Sequence, residues 1–364
     1  MRAREKTITE YIIEEQRKSP GASGGFTALL NDIRLACKRI GNLVGKGALI
    51  EESTRMREEA NSAFLRTNEW GGHLAAMASE AGVGVHPIPS VYPRGRYLLA
   101  FDPLCGAQGL SENAVAGSLF SVLRAPESAQ ADAGVAAQAP EERDFLQSGS
   151  RQACAGYAIY GPTTMLVLAL ESGVNGFTLD REIGEFILTH PGIRVPEETS
   201  EFAISTSGAG DWEPAVKRYV DECLAGKRGP RGRDFSMRWA GSLVADTHRI
   251  LMHGGVFLRP LSAPGDENPP RARPGDAPGD AGHALLFEAN PIAFVIERAG
   301  GRASDGARPL LEVEPQVLHQ RTPFIFGSRL EVERIERYYR DHNERDYDAP
   351  LFGTRGLFRA SAEA

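Results

Sequence analysis

The stretch YLLAFDPLCGAQG, residues 97–109, decides the fold and points to where chemistry would sit. Its apolar run from Leu98 to Phe101 ends abruptly in Asp-Pro-Leu, the pattern of a buried strand that delivers a carboxylate, Asp102, to a sheet's carboxyl edge. Open α/β sheets bind ligands at that edge. Pro103 is expected to stop the strand pairing and Leu104 to turn its carbonyl inward. Gly106 to Gly109 is expected to form a small-residue turn whose backbone N–H groups can hold an anion. An isolated Asp-Pro is more often a strand end closed by a turn, so the rest of the chain has to decide.

The chain has 364 residues, enough for two domains with cores of their own. Its 48 Asp and Glu against 41 Lys and Arg argue against a generic polyanion binder and leave room only for a local basic pocket. Nucleic acid is therefore not an expected partner. Cys37, Cys105, Cys154 and Cys223 show no disulfide framework and no zinc spacing, which suits reduced thiols. No apolar run reaches membrane-spanning length, and residues 1–18 read as a charged helix rather than a cleavable signal. A cytoplasmic protein without a membrane partner is expected.

Thr9 or Thr7 can cap a first helix, and the PGASGG turn at residues 20–25 ends it. Phe26, Leu29, Leu30, Ile33, Ala36, Cys37, Ile40 and Val44 recur at helical spacing, so Cys37 reads as a core residue. A third helix is expected over residues 51–68, leading into WGGHLAAMASE and the carboxylate Glu80. From Gly117 onward short apolar strands repeat: SLFSVLR, GYAIYG, TTMLVLAL and GFTLD, which together imply a large sheet. After the strand FAIS, packing helices are expected at residues 213–224 and 242–253. Residues 264–280 hold Pro, Gly and Asp without apolar anchors and are expected to be a mobile excursion. LLFEANPIAFVIERAGG then reads as a strand delivering Glu288, followed by a helix entered through Asn290 and Pro291. The strand TPFIFGS and a charged helix at residues 328–339 close the chain, which shows no internal repeat.

Three carboxylates, Glu80, Asp102 and Glu288, thus stand at the ends of apolar segments. With a Leu104 carbonyl they form an oxygen set that suits magnesium or manganese rather than zinc. Such ions polarise phosphoryl oxygens and activate water, so phosphoryl chemistry is the expected class. Arg238, in MRWAGS, is a candidate phosphate clamp because a guanidinium matches phosphate bidentately; a plain surface arginine explains its spacing equally well.

FDPL with its small-residue turn, then GYAIYGPTTMLVLAL, FTLDREIGEF, GSLVADTHRIL, LLFEANPIAFVIERAGG and LHQRTPFIFGS, in that order, closely resemble class 1 fructose-1,6-bisphosphatase. The similarity runs from about Thr7 to Tyr339. It implies the α/β sugar-phosphatase fold shared with inositol monophosphatase, layered α-β-α-β-α, and a homotetramer. It also implies dependence on Mg2+, with Mn2+ the alternative, and hydrolysis of fructose 1,6-bisphosphate in gluconeogenesis or the Calvin cycle. By this resemblance Glu80, Asp102, the Leu104 carbonyl and Glu288 fall on metal-ligand positions, and the three carboxylates are the expected catalytic residues. Cys105, Gly106, Ala107, Gln108, Gly109, Arg238 and Trp239 fall on substrate-binding positions, with Arg238 reaching a neighbouring subunit's sugar 6-phosphate.

The departures from the family pattern concentrate at these loops. The family reads DPLDGSSN where this chain reads DPLCGAQG, so Cys105 replaces a metal-binding aspartate and Ala107, Gln108 and Gly109 replace phosphate-holding residues. The family's paired glutamates become Glu80 and Ala81. In RMREEANSAFLR, Arg57 and Ser62 stand where acids belong, and only Glu58 or Glu59 can compensate through a shifted register. Gly208 replaces an Asn, Arg259 a Tyr, and Trp239 a residue that is often Tyr. Gly282 begins the GHA that takes the place of a basic residue before LLFE; Arg259, Arg271 or Arg273 can supply that charge from elsewhere.

Magnitudes show what these changes mean. A guanidinium about 4 Å from a divalent ion costs roughly 8 kcal/mol at an effective dielectric near 20. Arg57 must therefore point away, or that metal is lost. Loss of a water-activating acid removes a factor of about 10² to 10⁴ in rate. Two functions are expected to compete: slow metal-dependent hydrolysis of the 1-phosphate, or a catalytically silent sugar-phosphate-binding or regulatory subunit on the same scaffold. The expected organisation is an N-terminal domain over residues 1–196 that carries the metal loop, a sugar-phosphate domain over 197–340, and a tail over 341–364.

Overall fold

The computed structural model describes residues 6–18, 24–50, 53–127, 139–206, 209–260 and 282–344. Gly208, Arg271, Arg273 and the excursion at 264–280 lie outside these residues. Three helices lead the chain: α1 (Ile8–Lys18), α2 (Gly24–Val44) and α3 (Ser53–Asn68). Of the two candidate caps for α1, Thr7 is the one used. Its hydroxyl accepts the Glu10 N–H at 3.2 Å while the Glu10 carboxylate accepts the Thr7 N–H, a reciprocal capping box.

The chain then builds an eight-stranded sheet. Its strands are β1 (Leu74–Ser79), β2 (Val85–Pro87), β3 (Tyr97–Cys105) and β4 (Ala116–Arg124). Beyond the short helix α4 (Glu142–Phe145) come β5 (Cys154–Tyr160), β6 (Thr164–Leu170), β7 (Gly173–Asp180) and β8 (Glu185–His190). They lie in the order β2-β1-β3-β4-β5-β6-β7-β8. β1 and β3 are parallel, and every other neighbouring pair is antiparallel. Strands β1, β3 and β6 are buried along their whole length, which explains why they read as continuous apolar runs instead of alternating ones.

A second sheet uses β9 (Glu201–Ile204), β10 (Ser236–Met237), β11 (Val256–Arg259), β13 (Arg302–Ser304) and β15 (Phe324–Gly327), in the order β10-β9-β11-β15-β13. β12 (His283–Ala284) pairs separately with β14 (Arg321–Thr322). The remaining helices are α5 (Pro214–Ala225), α6 (Leu243–His253), α7 (Asn290–Arg298) and α8 (Arg329–Glu344). α1, α2 and α3 cover one face of the large sheet through Ile12, Ile33 and Phe64 against Leu99, Phe101 and Phe120. α6 and α7 fill the space between the sheets, where Val244 and Ile292 meet Leu119, Tyr157, Phe257 and Phe326. α5 and α8 close the far side over Phe202 and Ile325. The layers therefore run helix, sheet, helix, sheet, helix, as expected for this α/β fold.

Two expected local structures differ. Pro103 does not end β3: pairing with β4 breaks after Asp102–Leu119 and resumes at Cys105–Gly117, leaving a bulge. The Pro103 carbonyl within the bulge accepts the buried Ser118 hydroxyl at 2.6 Å. LLFEA is not a strand but a π-helical turn, Leu285–Ala289, running directly into α7. A short apolar run carries no periodicity that separates strand from buried helix, and the Asn-Pro that suggested a helix start is preceded by a turn already wound.

One aromatic contact packs the site edge against α3. Phe101, fully buried beside Asp102, stacks on Phe64 of α3 with ring centroids 4.6 Å apart and planes at 15°. Phe101→Ala is expected to cost about 3–5 kcal/mol in denaturant unfolding. A loss below about 1 kcal/mol would show that this layer contact does not hold the edge in place.

Candidate active site

Parallel pairing of β1 and β3 sets Ser79 beside Phe101, so the residues that follow, Glu80 and Asp102, emerge at the same sheet edge. The Glu80 N–H donates to the Phe101 carbonyl at 2.9 Å and fixes this register. Asp102 is buried, and its Oδ1 accepts the Leu104 N–H at 3.1 Å. Glu288 comes from the π-helical turn. One donor atom each from Asp102, Cys105 and Glu288 lies within 4.8 Å of the others. Two of the three expected carboxylates are thus brought together, with the thiol between them.

Glu80, at the same edge, is engaged by basic partners. Its carboxylate is ion-paired with the Arg57 guanidinium from α3, and Arg321 Nη2 stands 4.0 Å from its other oxygen. Arg57 therefore does not point away from the site. Ser62 is exposed, and the residue that turns toward β1 is Asn61, whose Oδ1 accepts the Ser79 hydroxyl at 2.6 Å. Arg57 and Asn61, four apart, share the inner face of α3. Glu58 and Glu59 are exposed, Glu59 pairing with Arg55, and supply no replacement acid. Ala81 is exposed next to Glu80.

The turn after Cys105 is a 3₁₀ helix, Ala107–Glu112, entered through Gly106 at φ 82°, a left-handed conformation that favours glycine. The Gly109 N–H donates to the Gly106 carbonyl at 3.1 Å, so the turn itself uses one of the amides expected to face an anion. Ala107 is buried beneath this turn.

Two cationic or donor groups at the site carried no clear signal in the sequence. His283 Nδ1 lies 3.1 Å from Glu288 Oε2, and the Ala284 N–H donates to the same oxygen at 2.8 Å. Arg321 Nη1 donates to the Gly282 carbonyl at 3.2 Å. Gly282 itself sits at φ 116°, where an added Cβ would come within 2.5 Å of the Thr322 carbonyl oxygen. The backbone there excludes the basic side chain expected at this position, and Arg321 brings positive charge instead.

Electrostatics separate the two clustered acids. Burial and the neighbouring Glu288 charge push the Asp102 carboxyl well above the usual carboxylate range, against the opposing pull of Arg57. Burial also acts on Glu288, but His283, the Ala284 N–H and Arg321 outweigh it and hold Glu288 below its ordinary value.

Of the other expected residues, Trp239 stacks on Phe257, centroids 5.7 Å apart, and Phe257 in turn contacts the His283 ring at 5.8 Å. Arg259 is half-buried at the end of β11, opposite Phe324. Arg238 is 61% exposed at its side chain, and its Nε lies 3.6 Å from Glu201.

The set does not fit the magnesium expected from the sequence. That ion takes near-octahedral oxygen ligands at about 2.0–2.1 Å. Here two carboxylates face a thiol, the third carboxylate is held by a guanidinium, and one Glu288 oxygen is occupied by His283 and Ala284.

Family models for the N-terminal and C-terminal domains of fructose-1-6-bisphosphatase match residues 6–191 and 195–340. The chain is 54% identical over 367 residues to the class 1 fructose-1,6-bisphosphatase of Hydrogenophilus thermoluteolus, covering 97% of each. It is 50% identical over 365 residues to a class 1 fructose-1,6-bisphosphatase of Methylibium petroleiphilum, again covering 97% of each. The crystal structure of Leishmania major fructose-1,6-bisphosphatase in holo form superposes with a TM-score of 0.78 at 32% identity, covering 92% of this chain and 99% of that one. With both domain models matched and half or more of the residues shared with these relatives, the chain belongs to the class 1 fructose-1,6-bisphosphatase family.

Proposed function

We propose that the chain binds fructose 1,6-bisphosphate, or a related sugar phosphate, at the Asp102–Glu288 edge and hydrolyses its 1-phosphate slowly. The observation that carries this reading is the meeting of Asp102, Cys105 and Glu288 from two distant segments at the carboxyl edge of β3. Metal dependence is general in this family. Mg2+, or Mn2+, is the ion the resemblance implies, and the donors present do not fit it.

In hydrolysis a water oxygen forms a bond to phosphorus, the bond from phosphorus to the sugar oxygen breaks, and that oxygen takes a proton. The chain's own groups supply positive charge and orientation. Arg57 and Arg321 flank Glu80, where a guanidinium can take phosphate oxygens bidentately. Asp102 and Glu288 stand at the reacting edge, with the Leu104 carbonyl and the amides of Cys105, Gly106, Ala107 and Gln108 beside them. Trp239 and Arg259 flank the sugar side. Glu80 joins an ion only when Arg57 turns away.

The same reading includes a boundary near Pro196 between a metal-loop domain and a sugar-phosphate domain, and a homotetramer in which Arg238 reaches a neighbour's substrate. The Arg57–Glu80 ion pair and the exposed Ala81 support a second reading, a sugar-phosphate-binding subunit without catalysis. Phosphate release from fructose 1,6-bisphosphate separates the two.

Restoring acids with Cys105→Asp and Ala81→Glu together is expected to raise phosphate release by at least about 10², the lower bound for one positioned acid or base. No gain in a folded protein would place the chemistry elsewhere.

Arg57→Ala is expected to free Glu80 and strengthen divalent-ion binding at least about tenfold in equilibrium dialysis, because it removes a repulsion of several kcal/mol. Unchanged affinity would mean that Arg57 does not compete with an ion.

A further inference from the structure

The segment that carries Arg238 is held from three sides. The Arg238 N–H donates to the Phe202 carbonyl at 2.8 Å, so the backbone continues the pairing of β10 with β9. From α6, Arg249 Nη2 donates to the Arg238 carbonyl at 3.3 Å, and both oxygens of the buried Asp246 accept the Ala240 N–H at 3.2 Å. Upstream, the buried ion pair of Arg231 with Glu331 pins the approaching loop to α8. A fixed backbone thus presents an exposed guanidinium.

One carboxylate divides the charge around it. Glu201, opposite Ser236 in the β9–β10 pair, accepts from Arg249 Nη1 through Oε2, while its Oε1 stands 3.6 Å from Arg238 Nε. The contact with Arg249 is a hydrogen-bonded ion pair; the one with Arg238 lies beyond hydrogen-bond reach. The Arg249 and Glu201 side chains are 22% and 31% exposed against 61% for Arg238, so water screens their pair less. Two guanidiniums share one carboxylate, which leaves one positive charge among the three uncompensated, on the open side. A Glu201 satisfied by Arg249 competes weakly for Arg238. Without Arg249, Glu201 would take the guanidinium fork that a phosphate needs.

We infer that Arg249 and Glu201 are positioning residues that set phosphate affinity at Arg238: Arg249 occupies Glu201 and so leaves the Arg238 guanidinium available to the 6-phosphate of a sugar bisphosphate. This rests on the proposed function for the assignment of Arg238 to substrate. Arg249 acts by neutralising the competing acid and holding the Arg238 carbonyl, and Glu201 sets the resting place of the Arg238 side chain.

Equilibrium binding of fructose 1,6-bisphosphate to the full chain at low salt tests this, with fructose 1-phosphate, which lacks the 6-phosphate, as the comparison. Arg249→Met keeps the aliphatic stem. It is expected to weaken bisphosphate binding about three- to fivefold, the scale of a partly exposed charge pair, and to leave fructose 1-phosphate unchanged. Glu201→Gln is expected to tighten the bisphosphate by about the same factor. The double variant is expected to return to within about twofold of the wild type, whereas a merely structural role would add the two losses. Arg238→Ala keeps the two questions apart. If it loses bisphosphate affinity while Arg249→Met does not, or while the double variant binds no tighter than Arg249→Met, the inference is overturned and the assignment of Arg238 stands. Unchanged binding in Arg238→Ala rejects that assignment and the inference with it. Should Arg249→Met fail to fold, Glu201→Gln decides alone, and binding no tighter than the wild type overturns the inference.

Discussion

Parallel pairing between β1 and β3 is the constraint on which the site depends. Because the two strands run in the same direction in register, Glu80 and Asp102 leave the sheet at one edge, locked by the Glu80 N–H on the Phe101 carbonyl. The rest of the large sheet is antiparallel, so this edge differs from its neighbours. The bulge at Pro103 then turns Cys105 back beside Asp102, and the π-helical turn before α7 reaches across from the layer between the sheets to add Glu288. The Phe101–Phe64 stack ties the edge to α3, the helix that carries Arg57.

That connection has an electrostatic consequence. A helix face that presents Arg57 to Glu80 fixes a positive charge on a carboxylate that the resemblance puts at a metal-ligand position. Arg321 adds a second guanidinium 4.0 Å from Glu80, so the protein supplies internal positive charge at this edge. The Arg57 and Glu80 side chains are 39% and 15% exposed, so the pair is only partly desolvated. Its value as an ion pair is modest, and its effect lies in what it excludes.

Much of this was legible in the sequence. The layered fold followed from the repeated short strands and the ordered resemblance segments, and Asp102 from an apolar run ending in Asp-Pro. Glu288 was found as a residue but assigned to the wrong element, because LLFE carries no period. Arg57 was visible as a departure, yet its direction depended on where α3 lies over β1, which no local pattern encodes. Ser62, a departure from the family pattern, is exposed, while Asn61, about 100° away around the helix, turns toward Ser79. His283 carries no pattern in the sequence that marks it, and Gly282, at positive φ against the Thr322 carbonyl, leaves no room for the basic residue expected there.

The central claim is that the Arg57 guanidinium occupies Glu80, a position where the resemblance implies a metal ligand. Anomalous diffraction from crystals grown with Mn2+ tests it most directly. The prediction is no peak beside Glu80, with Arg57 still on its carboxylate. A peak bridging Glu80 and Asp102, with Arg57 swung into solvent, would contradict it.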